Sequence, residues 1–175
     1  DNIYTAGTSA KPEDLIEKNK FKVYESSRGG QYTYHGPGQK IIYLMLNLRK
    51  KGYDIRKFIT LIEEWIIISL QDIGVKGIND KDHVGIWVED KNTLKKISSI
   101  GLRVRKGITF HGVSINMNPN LENFKGINPC GNNPNDVTSL EEMGLKKEIK
   151  YFDDILIRNF NKLFKAKLKL RKIQE

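Results

Sequence analysis

The sequence predicts an α+β fold, with a central mixed or antiparallel sheet flanked by helices, in one domain that spans residues 1–175. Three observations support this prediction. Short runs rich in branched and aromatic residues, typical of strands, recur along the chain. Two longer segments, 54–73 and 147–166, repeat apolar residues every three or four positions, as amphipathic helices do. No internal repeat and no linker-like stretch divides the chain.

The first half of the chain contains three predicted strands and a glycine-rich segment. The strands are 3–8, 21–25 and 40–48, and Pro12, which precedes two acidic residues, favours a short helix between the first two. Segment 28–39, R-G-G-Q-Y-T-Y-H-G-P-G-Q, is predicted to be a loop that carries a cation, an imidazole and aromatic rings. Because binding groups concentrate on loops of rigid scaffolds, it is a candidate site; an ordinary glycine-rich turn is the alternative.

One long helix is predicted in the first half. Asp54 suits its N-cap, and Gly74 follows its expected end near Ile73. Glu63 and Glu64 interrupt the apolar positions, and we expect both carboxylates to mark the solvent side of this helix.

The second half begins with strands and ends with helices. The alternating run 84–89 predicts a strand, and 95–104 and 108–117 predict an antiparallel pair joined by a tight turn. Capping-box spacing predicts a short helix over 139–144, and the last helix is expected over about 147–166.

The charge of the chain is strongly positive. Thirty Lys and Arg against 21 Asp and Glu give a net charge of +9, which attracts nucleic acid, anionic membrane surfaces or acidic proteins; biased composition is the alternative explanation. No run of about 18 apolar residues is present, so no membrane span is predicted. The chain begins at Asp1, without Met, in a strand-like stretch, and we expect that an upstream part is missing.

Cys130 is the first candidate catalytic residue. As the single cysteine it excludes an internal disulfide framework and fits a reducing compartment, here the cytoplasm. Pro129 and Gly131 predict a tight turn that leaves room beside the sulfur for a substrate carbonyl, although an inert buried thiol is the alternative.

A nearby cation would lower the pKa of the thiol. Lys96, followed by small uncharged residues, is a candidate; the alternative is an exposed lysine beside Lys95.

Three histidines could serve as bases or ligands. His35 lies in the glycine-rich segment and is the best rival base for Cys130, whereas His111 could be a satisfied core residue and His83 is expected on the surface. No His-x-x-x-His or Cys-x-x-Cys spacing is present, so no metal is predicted. The segment 36–39 lacks the Lys-Ser/Thr of a phosphate-binding loop, and a strand instead of a helix follows it, so no nucleotide cofactor is expected.

Four collinear motifs resemble one enzyme family. R-G-G-Q-Y-T-Y-H-G-P-G-Q, K-I-S-S-I-G-L-R-V, F-H-G-V-S-I-N and I-N-P-C-G are similar, in order and spacing, to the lipoyl(octanoyl) transferases, and Y-T-A-G-T-S-A-K-P-E-D-L and V-G-I-W-V extend the similarity over almost the whole chain. The resemblance implies the cofactor-transferase fold of biotin and lipoate ligases. It also implies transfer of an octanoyl group from octanoyl-acyl carrier protein to a lysine of a lipoyl domain, the first step of lipoate biosynthesis.

The resemblance also assigns residues. Cys130 corresponds to the acyl acceptor, and Lys96 to the lysine that lowers its pKa. Asn132 and Lys40 depart from the apolar residues that are common in the family, which puts the local packing in doubt. Tyr32 and Tyr34 are expected to wall a dry acyl channel. The full set of implied pocket residues is Arg28, Gly29, Gly30, Gln31, Tyr32, Thr33, Tyr34, His35, Ser99, Ile100, Gly101, Gly112, Val113 and Ser114.

The implied reaction is thioester to amide transfer, which requires no ATP, metal or other cofactor. The implied partners are acyl carrier protein and the lipoyl domains of 2-oxoacid dehydrogenase complexes or the glycine cleavage H protein, with the enzyme a monomer. An ATP-dependent lipoate or biotin ligase of the same fold is the nearest alternative. A basic nucleic-acid-binding module is a more distant one, because most aromatic residues fall on apolar faces.

Overall fold

The computed structural model describes residues 1–80, 84–128, 136–146 and 148–168, and its strands form two sheets. The strands are β1 (Ile3–Ala6), β2 (Lys22–Glu25), β3 (Tyr32–His35), β4 (Gln39–Tyr43), β5 (Gly77–Asn79), β6 (Ile86–Asp90), β7 (Thr93–Arg105) and β8 (Ile108–Asn116), and the α-helices are α1 (Leu48–Lys51), α2 (Ile55–Gln71) and α3 (Phe152–Phe164). A three-stranded sheet has the order β2-β1-β3, and a five-stranded sheet the order β4-β8-β7-β6-β5. The predicted α+β fold is therefore confirmed, with the β structure divided between two sheets.

The small sheet places a strand inside the segment that was predicted to be a loop. β1 pairs in parallel with β2 and antiparallel with β3, which occupies the middle of segment 28–39. Successive side chains of β3 point to opposite faces. Tyr32 and Tyr34 pack in a second core with Tyr4 and Phe124. Thr33 and His35 lie on the opposite face of the strand.

The predicted hairpin of the second half is confirmed and gives the large sheet its centre. β7 and β8 pair antiparallel from Ser98 and Ile115 down to Arg105 and Ile108. The two turn residues, Lys106 and Gly107, have φ values of 52° and 82°. Two consecutive positive φ angles match the twist of the flanking strands, so this turn sets the register of the whole pair.

A β-bulge interrupts the pairing of β6 with β7. Ile86 pairs with Ser98 but the next residue, Trp87, pairs with Lys96, so Ile97 is an extra residue on β7. Ile86 and Ile97 belong to the main core, and Trp87 does not. An extra residue in a strand moves the side chains that precede it to the opposite face of the sheet. The bulge therefore puts Lys96 on the same face as Trp87, away from the helices.

The helices cover one face of the large sheet. α2 begins as predicted, with the Asp54 side chain accepting a hydrogen bond from the backbone N–H of Lys57 at 2.8 Å. α3 begins at Phe152, later than predicted, after a short 3-10 turn (Glu148–Lys150). The two helices are joined by the indole N–H of Trp65, which donates to the carbonyl of Leu156 at 2.8 Å.

Within the described ranges, no helix is both long and apolar enough to cross a bilayer.

Glu63 is buried, and the prediction that it marks the solvent side of α2 is wrong. Its side chain is 8% exposed, whereas Glu64 is exposed. Its carboxylate accepts hydrogen bonds from the side chain of Asn79 and from the backbone N–H of Gly85, which lie in and beyond β5. Burial raises the pKa of Glu63, and the two hydrogen bonds only partly oppose this.

The raised pKa of Glu63 predicts a pH-dependent stability. The pKa of Glu63 is higher in the folded protein than in the unfolded chain. The protonated side chain therefore supports folding at acidic pH, and this contribution to the free energy of unfolding is lost as pH rises through the folded pKa. Glu63→Gln should therefore raise the midpoint of thermal unfolding at pH 7, and the gain should disappear below about pH 4. Glu64→Gln, the same change at an exposed neighbour, is the control. Identical pH profiles for the two variants would contradict this explanation.

Candidate active site

A cavity of about 350 Å³ lies between the two sheets. Its walls come from β1 and β3 of the small sheet, from β4, β7 and β8 of the large sheet, and from the glycine-rich segment. The implied pocket residues that line it are Arg28, Gly29, Gly30, Thr33, His35, Ser99, Ile100, Gly101, Gly112, Val113 and Ser114. It is also lined by residues that the sequence analysis did not single out, namely Ile3, Thr5, Glu25, Ser26, Ile41 and Tyr43, together with His111.

Small residues on one face of the large sheet make room for this cavity. Gly101 pairs with Gly112, and Ser99 pairs with Ser114, so four cross-strand positions have little or no side chain. A Cβ atom on Gly101 would lie 2.8 Å from Cδ of Arg28. Larger residues at these positions would fill the space of the cavity.

Three of the implied pocket residues lie elsewhere. Tyr34 is 1% exposed in the second core, and its hydroxyl donates to Oδ1 of Asn2 at 2.7 Å. Tyr32 packs against the same core, so neither ring forms a wall of the cavity. The cause is the alternation along β3, which cannot present consecutive residues to one face. Gln31 lines a neighbouring groove beside Ile55 and α2.

Arg28 is buried and ties the glycine-rich segment to β1. Its Nη2 donates to the carbonyl oxygen of Thr5 at 2.8 Å and to the hydroxyl of Thr5 at 2.7 Å, and its Nη1 donates to the carbonyl oxygen of Gly29 at 3.1 Å. The backbone N–H of Gly29 in turn donates to the carbonyl of Leu102 on β7 at 3.0 Å. These contacts hold the segment across both sheets and put a permanent positive charge in the cavity wall.

Two histidines line the cavity, and the pKa of each lies below its usual value. For His35 the main cause is burial, with a smaller contribution from the Arg28 charge. For His111 the causes are burial and the charges of Arg28 and Arg103. His111 adopts a positive φ of 64° and its Nε2 lies 3.3 Å from the hydroxyl of Ser27. It is a cavity residue, and the core interpretation is wrong.

Lys96 is buried, which excludes the alternative of an exposed lysine. It is 4% exposed, and its ammonium nitrogen lies 5.0 Å from the centroid of the Trp87 ring. Among the described residues, Nζ has no hydrogen-bond partner. Gly85 provides the space, because a Cβ atom there would lie 2.6 Å from Cε of Lys96. The bulge and this glycine together direct the lysine to a face that the sequence pattern does not indicate.

The segment of Cys130 lies outside the described residues, as do Asn132 and His83. The chain on either side of Cys130 is described. Before it, the backbone N–H of Asn128 donates to the carbonyl of Asp14 at 2.8 Å; after it, the carbonyl of Asp136 accepts from the backbone N–H of Lys96 at 2.8 Å. The pairing of Cys130 with Lys96 stays a prediction.

The sequence analysis missed a polar group between the cavity and Lys96. Gln39 lies at the start of β4 and donates from Nε2 to Oδ1 of Asn116 at 2.9 Å; Asn116 Nδ2 donates to the carbonyl of Thr138 at 3.0 Å. The backbone N–H of Thr138 donates to the carbonyl of Lys96 at 3.0 Å. The only signal in the sequence is a polar residue at the end of an alternating strand.

In the part of the chain that the structure describes, no group of three or more His, Cys, Asp or Glu side chains could hold a metal ion.

Comparison with known families and proteins supports the resemblance. The lipoyl protein ligase A/B catalytic domain family matches residues 1–161. Octanoyltransferase of Cereibacter sphaeroides is 44% identical over 171 residues, which cover 93% of this chain and 78% of that protein. Octanoyltransferase of Bartonella henselae is 47% identical over 172 residues, which cover 93% of this chain and 70% of that protein.

Solved structures share the fold. A lipoate-protein ligase A bound with ATP has a TM-score of 0.72 at 19% identity, covering 100% of this chain and 74% of its own. Lipoate-bound LipL1 of P. falciparum has a TM-score of 0.68 at 16% identity, covering 94% of this chain and 45% of its own. The prediction of a lipoate ligase-like fold is confirmed. The chain belongs to the lipoyl protein ligase A/B catalytic domain family, and it is an acyltransferase of the lipoyl/octanoyl type.

Proposed function

We propose that this acyltransferase moves an octanoyl group from acyl carrier protein to a lysine of a lipoyl domain, through an acyl thioester on Cys130. The observation that carries the proposal is the buried ammonium of Lys96, which has a ring but no hydrogen-bonding acceptor beside it among the described residues. A buried ammonium is strongly disfavoured unless an anion compensates it. A thiolate is such an anion. Asp136, six residues after Cys130 in the sequence, accepts a hydrogen bond at its backbone carbonyl from the backbone N–H of Lys96.

The first half-reaction loads the enzyme. The Cys130 thiolate attacks the carbonyl carbon of the donor thioester, and the bond to the carrier's sulfur breaks as the bond to Cys130 forms. The leaving thiolate takes the proton of Lys96, since the charge that the ammonium compensated has been consumed. The octanoyl chain occupies the cavity between the sheets, whose volume of about 350 Å³ is within the range of ligand sites.

The second half-reaction delivers the acyl group. The amine of the target lysine attacks the thioester carbonyl, an amide bond forms, and the bond to the Cys130 sulfur breaks. Neutral Lys96 takes a proton from the attacking amine, which restores the ion pair of the resting enzyme. No adenylate is required, because a thioester is already activated.

The comparisons favour a transferase over an ATP-dependent ligase of the same fold. The two relatives described above at 44% and 47% identity are octanoyltransferases, whereas the lipoate-protein ligase A matches at 19% identity, which supports only the fold. The net charge of +9 supports an acidic donor such as acyl carrier protein.

The acyl-enzyme prediction is tested by mass spectrometry. After incubation with octanoyl-acyl carrier protein, Cys130 should gain one octanoyl unit, and transfer to a lipoyl domain should require no ATP. Cys130→Ser should abolish both loading and transfer. A serine variant that keeps its activity with ATP would identify a ligase instead.

The ion pair predicts that Lys96 controls the reactivity of the thiol. Lys96→Met should raise the pKa of Cys130 and slow its alkylation by iodoacetamide at pH 7 by about tenfold, since one pKa unit corresponds to about 1.4 kcal/mol. Lys95→Met is the matched control, because the Lys95 ammonium pairs instead with Asp90 at 2.9 Å. Equal alkylation rates in wild type and Lys96→Met would overturn the pairing.

The basic charge predicts a salt dependence that is specific to the donor. Raising NaCl from about 50 to about 500 mM should lower kcat/KM for octanoyl-acyl carrier protein by about tenfold or more, because steering of an acidic partner is screened. The uncharged donor octanoyl-pantetheine is the comparison and should change by less than about twofold. Equal salt effects on the two donors would count against a charged docking surface.

A further inference from the structure

A chain of hydrogen-bonded side chains connects the cavity wall to the strand of Lys96. It begins at Nδ1 of His35, which lies 3.3 Å from Oε1 of Gln39. Gln39 Nε2 then donates to Oδ1 of Asn116 at 2.9 Å, and Asn116 Nδ2 donates to the carbonyl of Thr138 at 3.0 Å. Asn116 is buried and the side chain of Gln39 is half-buried, so few water molecules can compete with these contacts.

Two backbone groups fix the direction of every hydrogen bond in this chain. The Thr138 carbonyl can only accept, so Asn116 turns its NH2 group toward Thr138 and its oxygen toward Gln39. Gln39 must then donate to Asn116 and present its own oxygen at the other end. The backbone N–H of Gly36, which can only donate, lies 3.3 Å from that same oxygen. Both ends of the chain require the same orientation of the Gln39 amide.

The tautomer of His35 follows from this orientation. An amide oxygen accepts hydrogen bonds but cannot donate them, so the proton of the neutral imidazole is on Nδ1. Nε2 is then left with its lone pair. His111 is different, because its neighbour is the Ser27 hydroxyl, which can donate or accept and selects no tautomer.

His35 is neutral at physiological pH. Burial is the main reason that its pKa is lowered, and the charge of Arg28 adds to this, while the hydrogen bond to Gln39 opposes it more weakly. The other titratable side chains that line the same cavity are Glu25, Tyr43 and His111. A neutral imidazole with a lone pair is an available base in a cavity wall.

The second half-reaction leaves one proton without an assigned acceptor. The target lysine reaches the enzyme as an ammonium ion, because its ordinary pKa is about 10.4. Forming the amide and releasing the Cys130 thiolate frees two protons from that nitrogen. Neutral Lys96 takes one of them, as proposed above, and the other passes either to water or to a second base in the site.

We propose that Nε2 of His35 is this second base, held in the active tautomer by Gln39 and Asn116. The proposal rests on the function proposed above and adds a residue and a step to it. The ammonium of the target lysine transfers one proton to Nε2, and the neutral amine then attacks the thioester. The imidazolium returns its proton to water, because burial and the nearby Arg28 charge both disfavour the protonated ring.

The half-reactions separate this proposal from the proposed function. His35→Asn keeps an NH2 group for Gln39 and removes Nε2. Cys130 is loaded with octanoyl, excess donor is removed, and single-turnover transfer to a lipoyl domain is followed by mass spectrometry. The rate constant for transfer should fall by about 100-fold at pH 7, within the range for general bases. The rate constant for loading should fall by no more than about tenfold. The defect should shrink as pH rises toward 9.5, because more of the acceptor amine is already neutral.

The positioning role of Gln39 has its own readout. Gln39→Glu replaces an amide with a carboxylate beside Nδ1, which stabilises the imidazolium, so transfer should slow at pH 7 and recover at higher pH. Gln71→Glu, the same change at the exposed end of α2, is the control. The ¹⁵N resonances of His35 in the wild-type protein should show a protonated Nδ1 and an unprotonated Nε2. Thermal unfolding of each variant shows that it is folded.

The outcomes are distinct. If wild-type Cys130 is never loaded, the proposed function fails. If loading proceeds but His35→Asn slows loading and transfer equally, or slows neither, His35 is not the second base. The opposite tautomer in the ¹⁵N spectrum, or a transfer defect in His35→Asn that does not vary with pH, would overturn the proposal as well.

Discussion

The buried ammonium of Lys96 is the constraint on which the rest of the site depends. A lysine side chain that is 4% exposed requires compensation, and a ring at 5.0 Å supplies only part of it. The bulge at Ile97 turns this side chain away from the helices, and Gly85 gives it space. The fold thus maintains a buried ammonium in a position that is unfavourable by itself.

The cavity depends on the opposite property, the absence of side chains. Gly101 and Gly112 pair across β7 and β8, so the sheet face beneath the glycine-rich segment is nearly bare. Arg28 then closes the space from above by binding to Thr5 on β1. Hydrogen bonds of the glycine-rich segment to β1 and to β7 thus cross the rim of the cavity between the two sheets.

The polar chain from His35 to Thr138 links these two features. Side-chain amides that are anchored at both ends by backbone groups have one orientation, and this gives the imidazole a defined tautomer. The same arrangement extends to the backbone of Lys96 through Thr138. One hydrogen-bonded network therefore includes the imidazole of His35 at one end and the backbone of Lys96 at the other.

Local signals in the sequence determined the helices, the hairpin and the motifs. The Asp54 cap, the Lys106-Gly107 turn and the periodicity of α2 and α3 depend on neighbours within a few residues, and the glycine-rich segment was identified by its composition. Tertiary structure decided which residues face each other. The strand inside segment 28–39, the burial of Glu63, the turning of Tyr34 away from the cavity and the inward direction of Lys96 all depend on pairing with distant residues. Strand register and bulges are set by such long-range contacts, and a pattern along the chain does not contain them.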